Sequence, residues 1–485
     1  MFGLNYSQQK SVGLTFVLEQ LQPCSPFGEE HKKQITAFAR SERKALLECF
    51  ENIEKVISIM SGNESDLDEL CFHLAALKQI RGVINKCENH MLSQVELFEM
   101  KQFLLTFEKA EFIFRKINAI ARFSGICLNP LGQALNVLDP EGARVAAFVP
   151  DSPQLGAIRR EKLRVEALLQ KEKPLSEESV LTAERFVLVG REAEEETRVM
   201  RELSENLRPH LSAIAANTDN IGKLDLIVAK AKLALKYNGV RPNVCERAEV
   251  SLTNMHNPFA ADALAKSGRT LTKVTMALPK GVTVITGANM GGKTVSVKTA
   301  VLNVLLCQMG FFVFAEAAEI PLFDGICLIS EDMQDVGRGL SAFGAEITRF
   351  NEIAGRLKNE FLFVAMDEFA RGTNPREGAL IFRAIASYLS ESGSVCVMTT
   401  HYNRVVTPQF KHYQVAGLNF PKTAFEPGYR FSSISEYMDY NLIETGSDTA
   451  PPKDALNICK LIGLEQEILN RIGDEYASSN EFLKI

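Results

Sequence analysis

One stretch of the sequence combines glycines, a lysine and a threonine at a spacing suited to phosphate chemistry. It follows a β-branched run at residues 282–286 and leads into a periodic apolar segment, so the order is strand, turn and helix. Glycines let backbone N–H groups turn inward around a polyphosphate, and the helix N-terminus adds its dipole. The pattern is typical of a phosphate-binding loop. Its members are Gly287, Ala288, Asn289, Met290, Gly291, Gly292, Lys293 and Thr294.

Two side chains at the end of this loop have the chemistry of an ATP site. Lys293 can reach the β and γ phosphates as a point charge, and the Thr294 hydroxyl can ligate Mg²⁺. We therefore expect ATP and Mg²⁺ at this loop. The alternative is a glycine turn before a helix that happens to carry Lys-Thr, but the strand ahead of the loop favours the phosphate site.

Two carboxylates follow another apolar run, residues 361–366. A continuous apolar run predicts a central parallel strand that is covered on both faces. At its end, Asp367 is expected to hold Mg²⁺, directly or through water, and Glu368 to orient or deprotonate the attacking water. An apolar strand that ends in Asp-Glu also occurs as a plain strand and turn, so the interpretation depends on the phosphate loop upstream.

A third apolar run, residues 395–400, ends at His401. A single histidine is more often a structural residue than a catalytic one. Ligands of open α/β sheets, however, bind at the carboxyl ends of parallel strands, and His401 follows such a strand. This position favours His401 as a group close to the γ-phosphate.

Length and composition limit the possible classes of protein. A chain of 485 residues predicts two to four domains, and a net charge of -6 supplies no overall field for nucleic acid. Its 10 cysteines form no CxxC pair and are typical of core residues in a reducing compartment. The sequence begins without a signal-peptide pattern and has no bilayer-spanning apolar run, so we expect a cytoplasmic protein with no membrane partner.

The remaining segments predict secondary-structure elements but carry no pattern that indicates a catalytic or binding role. Residues 14–114 carry apolar stripes at helical spacing, and residues 136–149 predict a short hairpin around a turn at 139–142. A helix is expected to begin at Pro153, capped by Asp151 or Ser152.

The segments from residue 171 onward also predict helices and strands. A helix is expected over residues 211–237, and strands are expected at 311–315 and 326–329. In residues 171–205 acidic side chains outnumber basic ones, which predicts a solvated helix face and a poor grip on phosphates.

The phosphate loop resembles that of the MutS mismatch-repair ATPases, in which Asn-Met-Gly-Gly-Lys is a distinctive form of the pattern. The resemblance continues at residues 316–320, at Ser341-x-Phe343-x-x-Glu346, and at 366–373 and 400–402. Upstream, residues 151–155 and 158–161 are similar to the start of the family's lever. Residues 224–225 and 240–242 are similar to the segment where that lever returns to the ATPase domain. Residues 455–472 are similar to a helical segment that helps to pair two subunits.

This resemblance implies an α-helical core and lever domain, then an ABC-like α/β P-loop NTPase domain of MutS type, then a C-terminal helical tail. The helical core would take residues 1–145, the lever helices with a truncated clamp 146–243, the ATPase domain 244–450 and the dimerisation segment 451–485. Ser341 occupies the signature position, which in this family contacts the nucleotide of the opposite subunit. Two composite sites across a dimer follow, and the partner is a second copy or a paralogue.

Departures from the family pattern bear on function. Ala288 stands where proline is usual, at a position that only shapes the loop. The family's mismatch-reading and connector domains are expected to be missing, and the clamp between the lever arms to be nearly deleted.

Two functions therefore remain open. One is an ATP-driven clamp that binds duplex DNA or acts in mismatch repair. The other is an ATP-dependent conformational motor for a protein client; the resemblance to shortened MutS-like proteins implies reactivation of a cobalamin-dependent aminomutase. The acidic segment favours this second function because a phosphate backbone repels such a surface. A third possibility, a scaffold with negligible turnover, is disfavoured by the intact Lys293, Asp367, Glu368 and His401.

Overall fold

The computed structural model describes residues 3–62, 64–145, 148–171, 175–287, 291–330, 342–402, 404–419, 437–446, 458–460 and 463–482. The chain divides into two compact units. The α/β unit comprises Met1–Leu21, Thr36–Phe50 and Lys232–Ile485, and the helical unit comprises Gln22–Ile35 and Glu51–Ala231. Within the described ranges, every helix is too short or too polar to cross a bilayer.

The helical unit is built from long helices whose apolar stripes face one another. Helices α4 and α11 cross its boundaries, and two 3₁₀ turns, Arg40–Glu42 and Arg208–His210, lie beside them in the chain. Its helices are α3 (Pro26–Lys33), α4 (Arg43–Gly62), α5 (Glu64–Ala75), α6 (Arg81–Asn89), α7 (Gln94–Ala121), α8 (Gly132–Leu138), α9 (Pro153–Leu169), α10 (Leu175–Leu207) and α11 (Leu211–Lys236).

Helix α9 begins where the sequence predicts. Ser152 is its N-cap and accepts a hydrogen bond from the Leu155 N–H at 3.0 Å, with Pro153 in the first turn. Capping by a serine side chain satisfies one of the N–H groups that the first turn leaves without a helical partner. The predicted helix start is therefore confirmed.

Ion pairs join α9 to α10. Arg159 donates to Glu192 Oε1 at 3.1 Å and to Glu196 Oε1 at 2.7 Å, and Lys162 also pairs with Glu192. Arg185 of α10 pairs with Glu166 of α9 at 2.9 Å. The excess of acidic residues along α10 is thus partly balanced by basic residues of α9.

The predicted hairpin over residues 136–149 is wrong. Residues 136–138 belong to α8, which packs on α7 and buries Ala134, Leu135 and Leu138. The apolar spacing of these residues suits one face of a short helix as well as a strand, and burial against α7 decides for the helix. Residues 145 and 148–150 form no strand, and 146–147 lie outside the described residues.

The α/β unit contains the remaining elements. Its helices are α1 (Tyr6–Val12), α2 (Leu14–Gln20), α12 (Pro258–Ala265), α13 (Lys293–Gln308), α14 (Ala342–Arg356), α15 (Pro375–Glu391) and α16 (Gln466–Phe482). Its strands are β1 (Asn243–Cys245), β2 (Glu249–Met255), β3 (Val274–Pro279), β4 (Gly281–Thr286), β5 (Ala317–Pro321), β6 (Gly325–Ile329), β7 (Leu362–Met366), β8 (Val395–Thr400), β9 (Lys411–Leu418) and β10 (Met438–Glu444).

The larger sheet has six strands in the order β10-β9-β4-β8-β7-β6. All neighbours are parallel except β10, which runs antiparallel to β9. Strands β4, β6, β7 and β8 are buried along their whole length, as their continuous apolar runs predict. A helical part followed by a mixed α/β part is thus confirmed.

The smaller sheet has the order β1-β5-β2-β3. The strand predicted at residues 311–315 is wrong, because this segment forms only an isolated bridge between Val313 and Val240. Its aromatic residues are buried instead by packing, with Phe314 against Tyr237 at a ring-centroid distance of 5.7 Å. Aromatic and β-branched content alone does not guarantee a strand when tertiary packing can bury the same side chains.

Candidate functional site

The phosphate-loop pattern lies between β4 and α13. Gly287 directly follows β4 with φ 143°, and a Cβ atom there would lie 2.9 Å from Val415 Cβ. Gly292 is the N-cap of α13 with φ 83°, and a Cβ atom there would lie 3.1 Å from the Tyr440 ring. Both positions therefore need glycine for conformation and for space.

Lys293 is 3% exposed at the start of α13. Its Nζ donates to the Gly287 carbonyl oxygen at 2.8 Å and lies 3.6 Å from Glu368 Oε1. Burial lowers the pKa of Lys293, while the Glu368 carboxylate acts in the opposite direction. A buried ammonium between a carbonyl and a carboxylate is poised for an anionic ligand that adds negative charge beside it.

Asp367 directly follows β7 and is 5% exposed. Its Oδ1 accepts hydrogen bonds from the Thr294 hydroxyl at 3.1 Å and from the Thr399 hydroxyl at 2.8 Å. Burial raises the pKa of Asp367, and these two hydrogen bonds oppose that effect. The structure thus brings the two predicted Mg²⁺ ligands, Thr294 and Asp367, into direct contact.

Glu368 sits in a strained turn. Its φ is 50° and that of Ala370 is 66°, values that side-chain-bearing residues rarely adopt. The Glu368 N–H donates to Thr399 Oγ1 at 2.7 Å, and Arg371 Nη1 donates to Glu368 Oε2 at 2.7 Å. Strain of this kind persists where surrounding bonds fix it, and it concentrates at functional sites.

His401 directly follows β8, the strand between β4 and β7. In that register Thr286 of β4 lies opposite Thr400, and Met366 of β7 opposite Met398, so the three carboxyl ends meet at one edge. The ring of His401 lies 4.6 Å from that of Tyr402, whose hydroxyl donates to the Ala370 carbonyl at 2.7 Å. His401 therefore lies at the same sheet edge as Lys293 and the two carboxylates.

Four of the predicted site residues cannot be placed. Ala288, Asn289 and Met290 of the loop and Ser341 of the signature position lie outside the described residues. The described members of the loop are Gly287, Gly291, Gly292, Lys293 and Thr294.

A cavity of about 570 Å³ opens beside the phosphate loop. Its lining includes Gly291–Ser296 and Glu368, residues 268–272, and Met438 and Tyr440. The volume falls in the range of small-molecule sites, and the lining mixes apolar side chains with a few polar groups. The cavity can hold a ligand that extends from the loop toward Tyr440.

Sequence reasoning missed three residues of this site. Thr399 could have been found, since it is a hydroxyl residue at the end of a buried strand beside His401. Arg371 stands three residues after Glu368, a spacing that lets the two pair across a single turn. No sequence pattern around Tyr440 indicates a place in the site, because β10 comes close to the loop through its pairing with β9 in the sheet.

Comparisons with known proteins match the part of the chain that contains these residues. The family described as MutS domain V matches residues 283–472. Two curated proteins of Streptococcus pneumoniae, strains Hungary19A-6 and CGSP14, are each named Endonuclease MutS2 and are 29% identical over 316 residues. The matched region covers 63% of this chain and 37% of each relative. The chain thus spans well under half the length of these relatives.

Proposed function

We propose that this chain is a member of the MutS family that binds and hydrolyses ATP, and its match to MutS domain V over residues 283–472 supports this. One observation carries the proposal. Lys293, Thr294, Asp367 and Glu368 come from two separate elements, yet each lies within 3.6 Å of another member of the set. A lysine, a hydroxyl and two carboxylates beside a glycine loop are the parts that phosphoryl transfer needs.

The donor set at the loop fits Mg²⁺. The hydroxyl of Thr294 and the carboxylate of Asp367 are hard oxygen ligands of the kind this ion takes. The Thr294 hydroxyl lies 3.1 Å from Asp367 Oδ1, and this carboxylate is buried. When bound, Mg²⁺ would supply charge neutralisation at the β and γ phosphates.

The other side chains of the site would have separate roles in ATP hydrolysis. Loop amides and Lys293 would hold the phosphates, and His401 would lie near the γ-phosphate. Glu368 would accept a proton from water as the water oxygen bonds to the γ-phosphorus and the bond to the bridging oxygen of ADP breaks. Its carboxylate oxygens, held between Arg371 and Lys293, are fixed in orientation for that step.

The cavity beside the loop would take the nucleoside. Tyr440 lies against Gly292 at one end of it, and an aromatic ring at that place suits stacking on a planar base. With the phosphates at Lys293, the base would lie beside Tyr440, and both residues line the cavity. Tyr440 is therefore our candidate for the base contact, which the sequence alone did not identify.

The family resemblance extends the proposal to a dimer. Ser341 would contact the nucleotide held by the opposite subunit, a second copy or a paralogue, and the tail that includes α16 would help to pair them. ATP binding would then close the two subunits and move the lever helices α9–α11. Mixing subunits tests this arrangement, because Ser341→Arg and Lys293→Ala chains together should restore about one working site per dimer, whereas no recovery would contradict it.

The partner that the lever acts on is proposed from the family as duplex DNA. A protein client, such as a cobalamin-dependent aminomutase, is the alternative, and one observation favours it. Val180, Phe186 and Val187 of α10 are largely exposed apolar side chains, which suit a protein surface better than a phosphate backbone.

Measuring ATP turnover separates these proposals. The wild-type chain should hydrolyse ATP in the presence of Mg²⁺, and Lys293→Ala should not. Stimulation by duplex DNA that fades as salt rises would favour the DNA partner. A flat response to DNA, together with stimulation by a purified aminomutase, would favour the protein client. If the wild-type chain and Lys293→Ala hydrolysed ATP at the same rate, the proposal that this chain is an ATPase would be wrong.

A further inference from the structure

A buried histidine that takes no part in the proposed reaction joins the residue before the phosphate loop to the segment that follows β10. His412 lies on β9 and is 2% exposed. Its Nε2 is 2.8 Å from the Thr286 hydroxyl, and its Nδ1 is 2.9 Å from the Gly446 carbonyl oxygen. Thr286 is the last residue of β4, directly before Gly287.

The partners fix how this imidazole bonds. A carbonyl oxygen can only accept, so the proton belongs on Nδ1, which donates to Gly446. In the neutral ring Nε2 then accepts from the Thr286 hydroxyl. The Thr445 hydroxyl lies 3.0 Å from the same Nδ1, and the Thr445 N–H donates to the His412 carbonyl at 2.9 Å. A chain of hydrogen bonds therefore links β4 to the residues that follow β10; the bond to Thr286 is buried, and those at Nδ1 are partly buried.

The same strand reaches the other end of the loop. Tyr440 of β10 lies against Gly292, the glycine that caps α13. Strand β10 thus contacts the loop where it ends, and the two residues after β10 connect through His412 to Thr286, just before the loop begins. Between these points Gly287 offers its carbonyl oxygen to Lys293 Nζ at 2.8 Å.

From this geometry we propose that His412 is a positioning residue that fixes Thr286 and Gly287, where the phosphate loop begins, in the position that nucleotide binding needs. The inference rests on the proposed ATP site and adds to it a group that touches no nucleotide atom. Groups that contact a phosphate to a similar degree in the ground state and in the transition state contribute to binding and not to the turnover number, and we expect the loop amides to act in this way. Loss of the link therefore weakens nucleotide binding and leaves the rate at saturating ATP unchanged.

Thr286→Val tests the link with little change of shape, because valine keeps the volume and suits a buried strand. The dissociation constant for Mg-ATP, measured with a fluorescent ATP analogue, should rise about tenfold, the usual size for one buried hydrogen bond. The turnover number at saturating ATP should stay within about twofold of wild type, as expected for uniform binding. Thr286→Ser keeps the hydroxyl and should restore the affinity.

A second variant acts on the other partner. His412→Asn keeps an amide donor for Gly446 but has no group at the position of Nε2, so it should weaken binding about as much as Thr286→Val. Since both changes remove the same bond, the double variant should bind no more weakly than either single one. Additive losses would overturn the proposal.

Thr283→Val is the matched control. Thr283 lies in the same strand and is fully buried, but within the described residues its hydroxyl has no hydrogen-bond partner. This control should bind nucleotide like wild type. If Thr286→Val also does so while Lys293→Ala abolishes binding, the role of His412 is overturned and the ATP site stands. If wild type itself binds no nucleotide, both proposals fall.

Discussion

The hydroxyl of Thr399 donates to Asp367 Oδ1 at a distance of 2.8 Å. The Oγ1 of Thr399 also accepts the Glu368 N–H at 2.7 Å, so one side chain of β8 holds both carboxylate residues that follow β7. Met398 lies opposite Met366 in the parallel register, which brings Thr399 beside the turn at Asp367. A single hydroxyl therefore fixes the proposed metal ligand relative to the proposed base.

Thr399→Val should lower the turnover number about tenfold or more, because the Asp367 carboxylate and the Glu368 backbone lose their common anchor and small displacements of reacting groups are costly. The Glu368 N–H would also be left without its acceptor at a strained φ of 50°. Steady-state ATP hydrolysis measures the effect. Thr399→Ser retains the hydroxyl and should recover most of the rate, so equal losses in both variants would contradict the anchoring role.

Glu368→Gln should preserve ATP binding and reduce turnover by about a hundredfold or more, since the amide cannot accept the proton of the attacking water. Nucleotide affinity and single-turnover hydrolysis separate the two effects. Glu377→Gln, an exposed change in the first turn of α15, serves as the control and should behave like wild type. Normal hydrolysis by Glu368→Gln would remove Glu368 from the role of base.

The parts of this site that the sequence predicted share a physical cause. Strands β4, β7 and β8 are buried on both faces, so they appear as unbroken apolar runs, and each run ends in polar residues. Parallel strands bring those ends to one edge of the sheet, so the sequence alone groups Lys293, Asp367 and His401. Their chemical roles stay predictions.

The parts that it missed depend on distant contacts. Residues 136–138 carry a pattern that fits a strand or a helix, and only packing on α7 selects α8. Tyr440 and His412 reach the loop from strands more than a hundred residues further along the chain. No local spacing encodes such approaches, because they follow from the order of strands in the sheet.

Tyr440→Ala tests whether the cavity beside the loop holds the base. Loss of a stacking ring should weaken ATP binding about fivefold or more, as is usual for contacts between bases and aromatic rings. Binding of inorganic tripolyphosphate, which has no base, should change less than about twofold if Lys293 and the loop amides hold it. Tyr440→Phe keeps the ring and should bind both ligands like wild type. Equal weakening of both ligands by Tyr440→Ala would mean that Tyr440 only shapes the loop.

Asp225 offers a test of stability in the helical unit. It is 1% exposed on α11, and its carboxylate accepts from the Cys24 N–H at 3.0 Å and from the N–H and hydroxyl of Ser25 at 2.7 and 2.6 Å. Ser25 in turn caps α3, so Asp225 ties two helices together. Asp225→Asn replaces one acceptor oxygen with an N–H₂ group that faces donors, and should cost about 2 kcal/mol of unfolding free energy.

Guanidinium unfolding followed by circular dichroism measures that loss, and Asp219→Asn on the same helix is its matched control. The Asp219 side chain is 43% exposed and pairs with Lys223 at 2.7 Å and with His31 at 3.1 Å. Exposed pairs of this kind contribute little, so the control should lose no more than about 0.5 kcal/mol. Equal losses in the two variants would show that the buried hydrogen bonds of Asp225 contribute no more than a surface ion pair does, because burial is the main difference between the two sites.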